Sequence, residues 1–189
     1  MSAAARRRKN KQLMIRGGVA LAVVAAVVAI ALNMRADRAA DEEAAQLLEA
    51  AGCEVNQDAD DDAGSGRNHR EGVQYEVDPP AGGDHSPTPL PPGTYTAETA
   101  SDDKLVHSME HGYVVIWHRG DLDDGEMDAV EQVADEHAKD VLVVERPTLE
   151  VPVAATAWHR RALCDEVDAA ALEAFVVQYR NQGPEKVAH

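Results

Sequence analysis

Positive charge is in short supply in this chain. Eighteen Lys and Arg stand against 34 Asp and Glu, giving a formal net charge of −16. A nucleic-acid-binding domain needs a basic face, and this balance argues against one. Aromatics are also scarce, at 4% with a single Phe, so a core has to be built mostly from Val, Leu, Ile and Ala. Cysteine is limited to Cys53 and Cys164. Their wide separation lacks the close spacing of a zinc knuckle, and no Cys-x-x-Cys redox motif occurs. The 189 residues suffice for one ordinary domain plus extensions.

Six of the basic residues crowd into residues 1–16: Arg6, Arg7, Arg8, Lys9, Lys11 and Arg16. An uncharged apolar run follows from Gly17 to Met34, with Asn33 as its strongly polar group. Roughly 18 helical residues reach about 27 Å, close to the hydrocarbon thickness of a bilayer. This pattern predicts a transmembrane signal-anchor over 17–34. The basic flank stays cytoplasmic and the remainder lies outside, giving a single-pass protein of the cell membrane. A cleaved signal peptide is the competing reading. Against it, the run exceeds a typical signal core and no clear Ala-x-Ala site follows. The expected organisation continues with a helical stalk over 35–51, an extracytoplasmic domain over 52–184 and a tail over 185–189.

That topology bears on the cysteines. Outside the cytoplasm, two Cys in one domain usually pair, so Cys53 and Cys164 are expected to form a disulfide. Closing a loop of about 110 residues contributes ~4–5 kcal/mol in the chain-entropy view. The alternative is a pair of thiolate metal ligands.

Residues Arg35 to Ala51 are rich in helix formers, and Gly52 supplies a stop. The acidic stretch Asp58 to Gly66 reads as a solvated loop, because it lacks the Gly-centred, Glu-terminated pattern of a calcium loop. From His69 to Tyr95, Pro and Gly are too dense for a helix or a central strand, which predicts an ordered, irregular loop system. The C-terminal half is regular. Gly112–His118, Val141–Glu145 and Val151–Arg160 read as strands. Asp123–Lys139 and Asp168–Arg180 read as amphipathic helices. The order β-α-β-β-α predicts an α+β fold, a small sheet covered by helices and preceded by the Pro/Gly-rich loops and the N-terminal transmembrane helix. The thioredoxin core shares that order, but fold analogy does not establish chemistry.

Four of the eight histidines, His69, His85, His107 and His111, fall in or beside these loops or at a strand entrance. Rigid loops can aim imidazoles at one point, and neutral imidazole suits copper, zinc, nickel or iron. His107 and His111 share one face of a helical turn. The candidate metal set is therefore His107 and His111 with His85 and His69, and copper or zinc is the expected ion. Met109 would offer a thioether for Cu(I), but on a helical turn it points away from the histidines and reads as core. His118, His137 and His159 look structural or exposed, and His189 is uninformative. Glu110 is the one catalytic candidate: it could act as general base for a metal-bound water, hydrogen-bond a metal-ligating imidazole, or ligate the metal itself, and a buried structural pairing is the alternative. Residues 107–111 spell His-x-x-Glu-His, the string of inverted zinc peptidases. That class carries it deep in a long helix. Here Gly112 and β-branched residues follow at once, so the helical segment is expected to be little more than a turn.

The ordered pieces from His69 to Trp117 resemble the domain of unknown function 3105 family, mostly bacterial membrane-anchored proteins. They are His69-Arg70-Glu71-Gly72, Tyr75, Asp78-Pro79-Pro80, Gly83-Asp84-His85, Pro92-Gly93-Thr94-Tyr95 and Val106 to Gly112. Thr156-Ala157-Trp158 and Cys164 fit downstream. The resemblance implies a shared fold over roughly Cys53 to Pro184 rather than a reaction. The chain departs from the family where it has Gly82-Gly83-Asp84-His85 instead of Ser-Gly-Pro-His, and where Ser108 replaces the more frequent Asn. Three functions remain in view: transition-metal binding, a structural or interaction module docking onto a membrane-protein partner, and a metal-dependent hydrolase with Glu110 as base.

Overall fold

The computed structural model describes residues 3–57, 59 and 66–185, with side chains from residue 26 onward. The acidic loop, the basic side chains of 1–16, the first half of the expected span and all of the tail but Glu185 lie largely outside that description. The chain divides into two units, residues 1–43 and 44–189. The first is helical. Helix α1 (Ala3–Ala50) runs unbroken through the expected span and stalk and ends in the second unit. Among the described residues, no helix is long and apolar enough to cross a membrane.

The second unit is an α+β fold. Its elements are β1 (Cys53–Asn56), β2 (Gly93–Tyr95), α2 (Asp102–Glu110), β3 (Val114–His118), α3 (Asp124–Glu136), β4 (Val141–Glu145), β5 (Val153–Ala157), β6 (Arg160–Cys164) and α4 (Ala169–Tyr179). The six strands form one mixed sheet in the order β1-β6-β5-β3-β4-β2. Strand β4 is parallel to β2 and β3, and the other pairs are antiparallel.

The expected β-α-β-β-α order is a subset of this. Two short strands, β1 and β2, were not expected. The region read as one strand over Val151–Arg160 is a hairpin, β5 and β6, turned at Trp158-His159. His159 makes that turn at φ 59°, a left-handed conformation without the Gly or Asn that normally marks it. Nor is the His107–His111 segment a mere turn: α2 has nine residues. Asp102 and Asp103 in its first turn complement the helix dipole. It ends in a Schellman motif. Gly112 at φ 92° donates to Met109 O at 2.9 Å, and Tyr113 donates to Ser108 O at 3.1 Å.

Strand β3 is buried along its whole length, as a strand covered on both faces must be. Its side chains alternate between two cores. Val114 and Ile116 join Val130, Val133, Leu172, Phe175 and Val176 of α3 and α4. Val115 and Trp117 join Leu105, Val106 and Met109 of α2 on the opposite face. Met109 is fully buried there, as core. Cys53 and Cys164 face one another in the β1–β6 register and form the expected disulfide.

Candidate metal centre

The site lies on the α2 side of the sheet, where the Pro/Gly loops close over the helix. A parallel β-bridge between His69 and His85 joins two loop strands. Arg70 N donates to His85 O at 2.7 Å, and His85 N donates to Asn68 O at 3.1 Å. Asp84 stiffens this junction. Its carboxylate accepts from Asn68 N at 3.0 Å, Asn68 Nδ2 at 3.0 Å and Arg70 Nε at 2.8 Å. The Asn68 backbone amide is the main reason the Asp84 carboxyl is held below the usual carboxylate range. Burial opposes that shift, and the Asn68 side chain and Arg70 add to it. Tyr75 donates to Asp84 O at 2.7 Å, and burial followed by the charges of Asp103, Asp102 and Asp84 pushes its phenol well up, so it stays a donor. Ser86 N bonds Asp103 O, and Ser108 Oγ accepts from Leu90 N at 3.0 Å, which fastens the loops to α2. Ser108, which also donates to Leu90 O at 2.8 Å, is thus a loop anchor.

Helix α2 presents His107 and Glu110 to this junction. His69, His85, His107 and Glu110 each aim one ligand atom into a cluster in which all four atoms lie within 4.8 Å of one another. His85 is fully buried, and Glu110 and His107 are nearly so. His69 is 43% exposed and forms the outer wall. Glu110 Oε2 lies 2.9 Å from His85 Nε2 and 3.5 Å from His69 Nε2. The edge of the Trp158 indole flanks His85, with ring centroids 5.7 Å apart.

The other ring nitrogens fix the tautomers. His85 Nδ1 is 2.8 Å from Gly83 O, and His107 Nδ1 is 2.7 Å from Ser86 O. A carbonyl only accepts, so each Nδ1 carries the proton and each Nε2 of a neutral ring has a free lone pair. His107 is held neutral. Burial drives its pKa below 6.5 against the pull of the Ser86 carbonyl, helped by the neighbouring His111, His85 and His69.

The expected four-histidine set is therefore divided. His69, His85 and His107 converge, and Glu110 takes the fourth position. His111, the cap residue of α2, instead turns its Nε2 to His107 Nε2 at 3.1 Å and to Glu185 Oε2 at 3.3 Å. In the sequence Glu110 is a candidate ligand among other roles, whereas nothing local to the tail marks Glu185. A separate cleft of about 450 Å³ lies beside Tyr75, Asp102 and Asp103, but Arg146, which lines it, is already paired with Asp102 at 2.7 Å and Asp78 at 2.8 Å.

Fold and site together define an α+β domain with a largely buried histidine–carboxylate cluster held by irregular loops. The family model described as protein of unknown function (DUF3105) matches residues 67–189, and the chain belongs to that family. No curated protein matches the chain, and no solved structure does.

Proposed function

We propose that the domain binds one transition-metal ion, zinc or copper, through Nε2 of His69, His85 and His107 and a carboxylate oxygen of Glu110. One observation carries this reading. His85 gives its Nδ1 proton to Gly83 O, yet its Nε2 sits 2.9 Å from a carboxylate oxygen that has no proton of its own when ionised. Two lone pairs at that distance need a cation between them, and in a buried site the choices are a proton or a metal ion. The backbone carbonyls behind His85 and His107 are the kind of partners that orient metal-ligating imidazoles and raise their basicity. Three imidazoles and one carboxylate suit zinc or Cu(II). The burial of Met109 in the core removes the soft ligand that Cu(I) would favour.

The test is titration of metal-free full-length protein with Zn²⁺ or Cu²⁺, read by calorimetry and metal analysis. Binding of one ion at micromolar or tighter affinity, weakened strongly in Glu110→Gln and also in His69→Ala, supports the reading. A wild-type chain that takes up no ion leaves the buried pair as a protonated His85 salt-bridged to Glu110, a structural role.

The same proposal places the domain outside the cytoplasm on a single-pass anchor. Val27, Val28, Ile30, Leu32 and Met34 are all at least half exposed on α1, an apolar surface that lipid would cover. Alkaline carbonate washing of membranes tests the anchor: the full chain stays in the pellet, and release into the supernatant sinks it.

A further inference from the structure

The residues left over by the buried site form a second cluster. His107, His111 and Glu185 bring three ligand atoms within 4.8 Å of one another. His111 Nε2 faces the His107 lone pair at 3.1 Å and the Glu185 carboxylate at 3.3 Å. As a plain hydrogen bond, one N–H would be split between two acceptors; a metal ion engages all three atoms. The set is more accessible than the buried one, since His111 is 17% exposed and Glu185 48%.

The position of Glu185 is built in. The segment after α4 crosses the end of α2 as a strap. Asn181 N donates to Gly112 O at 2.8 Å, and Glu185 N donates to Glu110 O at 3.1 Å. Gly183 passes so close that a Cβ there would lie 2.2 Å from Glu110 O and 2.4 Å from Gly112 N. Only glycine allows that approach without moving backbone. Glu110 thus serves both clusters, with its carboxylate in the inner one and its carbonyl holding the strap of the outer one.

We propose that His107, His111 and Glu185 form an outer metal-ligand set that captures an ion and passes it to the buried set by ligand exchange around His107. The proposal rests on metal binding at the inner cluster. Because His107 offers one Nε2 to both sets, the two are alternatives, and the chain holds one ion at saturation. The ion arrives on His111, Glu185 and His107. It then leaves the first two as Glu110, His85 and His69 take over.

Loading of metal-free full-length protein with Co²⁺, followed by the visible absorption of the bound ion in rapid mixing, tests this. Both Glu185 and His69 are partly exposed, so their variants keep the buried packing. Glu185→Gln is expected to slow loading by about tenfold, the scale on which residues beside a metal site act, with little change in final affinity. His69→Ala is expected to weaken final affinity, and adding Glu185→Gln to it weakens binding further. Wild-type loading rates in Glu185→Gln, with binding still weakened in Glu110→Gln, would overturn the outer set and leave the inner site standing. Two ions per chain at saturation would overturn the sharing of His107. A wild-type chain that binds no Co²⁺ or Zn²⁺ would overturn both readings.

Discussion

The two faces of the sheet are built on opposite principles. Under α3 and α4 the core is a continuous apolar cluster running from Leu48 to Tyr179, with Phe175 its largest fully buried side chain. Under α2 a smaller apolar cluster is bordered by buried Asp84, His85, Ser86, Asp103, His107, Ser108 and Glu110. Burying so many polar groups is costly unless each finds a partner, and here the loops and α2 supply one another's. One face holds the fold by area removed from water. The other face uses that stability to keep imidazoles and a carboxylate closer together than they would sit in a solvated loop.

The sharpest way to break this comparison is on the apolar face. Phe175→Ala removes a fully buried ring and is expected to cost about 3–5 kcal/mol in urea unfolding. The affinity of the remaining folded protein for Zn²⁺ should hold. A matching loss of affinity would mean that the faces are not independent.

Removing the disulfide acts on the same face. Cys164 lies in that core, and the closed loop spans 111 residues. Cys53→Ser with Cys164→Ser is expected to cost about 2–5 kcal/mol, read by the same unfolding midpoints, again with the metal site intact.

The polar face should respond in the reverse manner. Glu110→Gln keeps the shape and removes the charge. Zn²⁺ affinity is expected to fall by at least about 100-fold, the upper end of what losing even a residue that merely supports a ligand costs. The rise in Tm that Zn²⁺ gives the wild-type chain should vanish with it, since a ligand stabilises only the state that binds it.

The smallest effect is on pH. In metal-free protein the folded state keeps His107 neutral, while the unfolded chain takes up a proton near the ordinary 6.5. The unfolded state then binds more protons. The contribution of His107 is therefore fully present above that value and is lost as pH falls through it toward the lower folded pKa. Urea midpoints measured across the window should fall toward acid, and His107→Gln should flatten the slope.

These two faces also differed in how far they could be read in advance. Strands β3 and β4 announce themselves as short unbroken apolar runs, and helices α3 and α4 by periodicity, because burial leaves a legible mark in the chain. The disulfide followed from the predicted topology. On the other face the histidines were visible as residues but their grouping was not. His69 joins His85 through a backbone bridge that no side-chain pattern encodes, and His111 stays beside His107 one turn on but pairs with Glu185 instead of the inner group. Glu185 reaches the site through a strap fastened by Gly112 and Gly183, contacts that are distant in the chain. The Trp158-His159 turn escaped notice because a histidine occupies a conformation that usually calls for Gly or Asn.

The two margins of the sheet have a consequence of their own. An open strand edge is a template on which another chain can add, and this sheet offers little of it. At one side β2 is only three residues long and follows directly on Pro91-Pro92, which have no amide hydrogens to give. At the other, β1 is four residues long and is tied covalently to its neighbour through Cys53 and Cys164. Copies of this domain would meet at blunted edges, so the fold resists runaway strand-by-strand association.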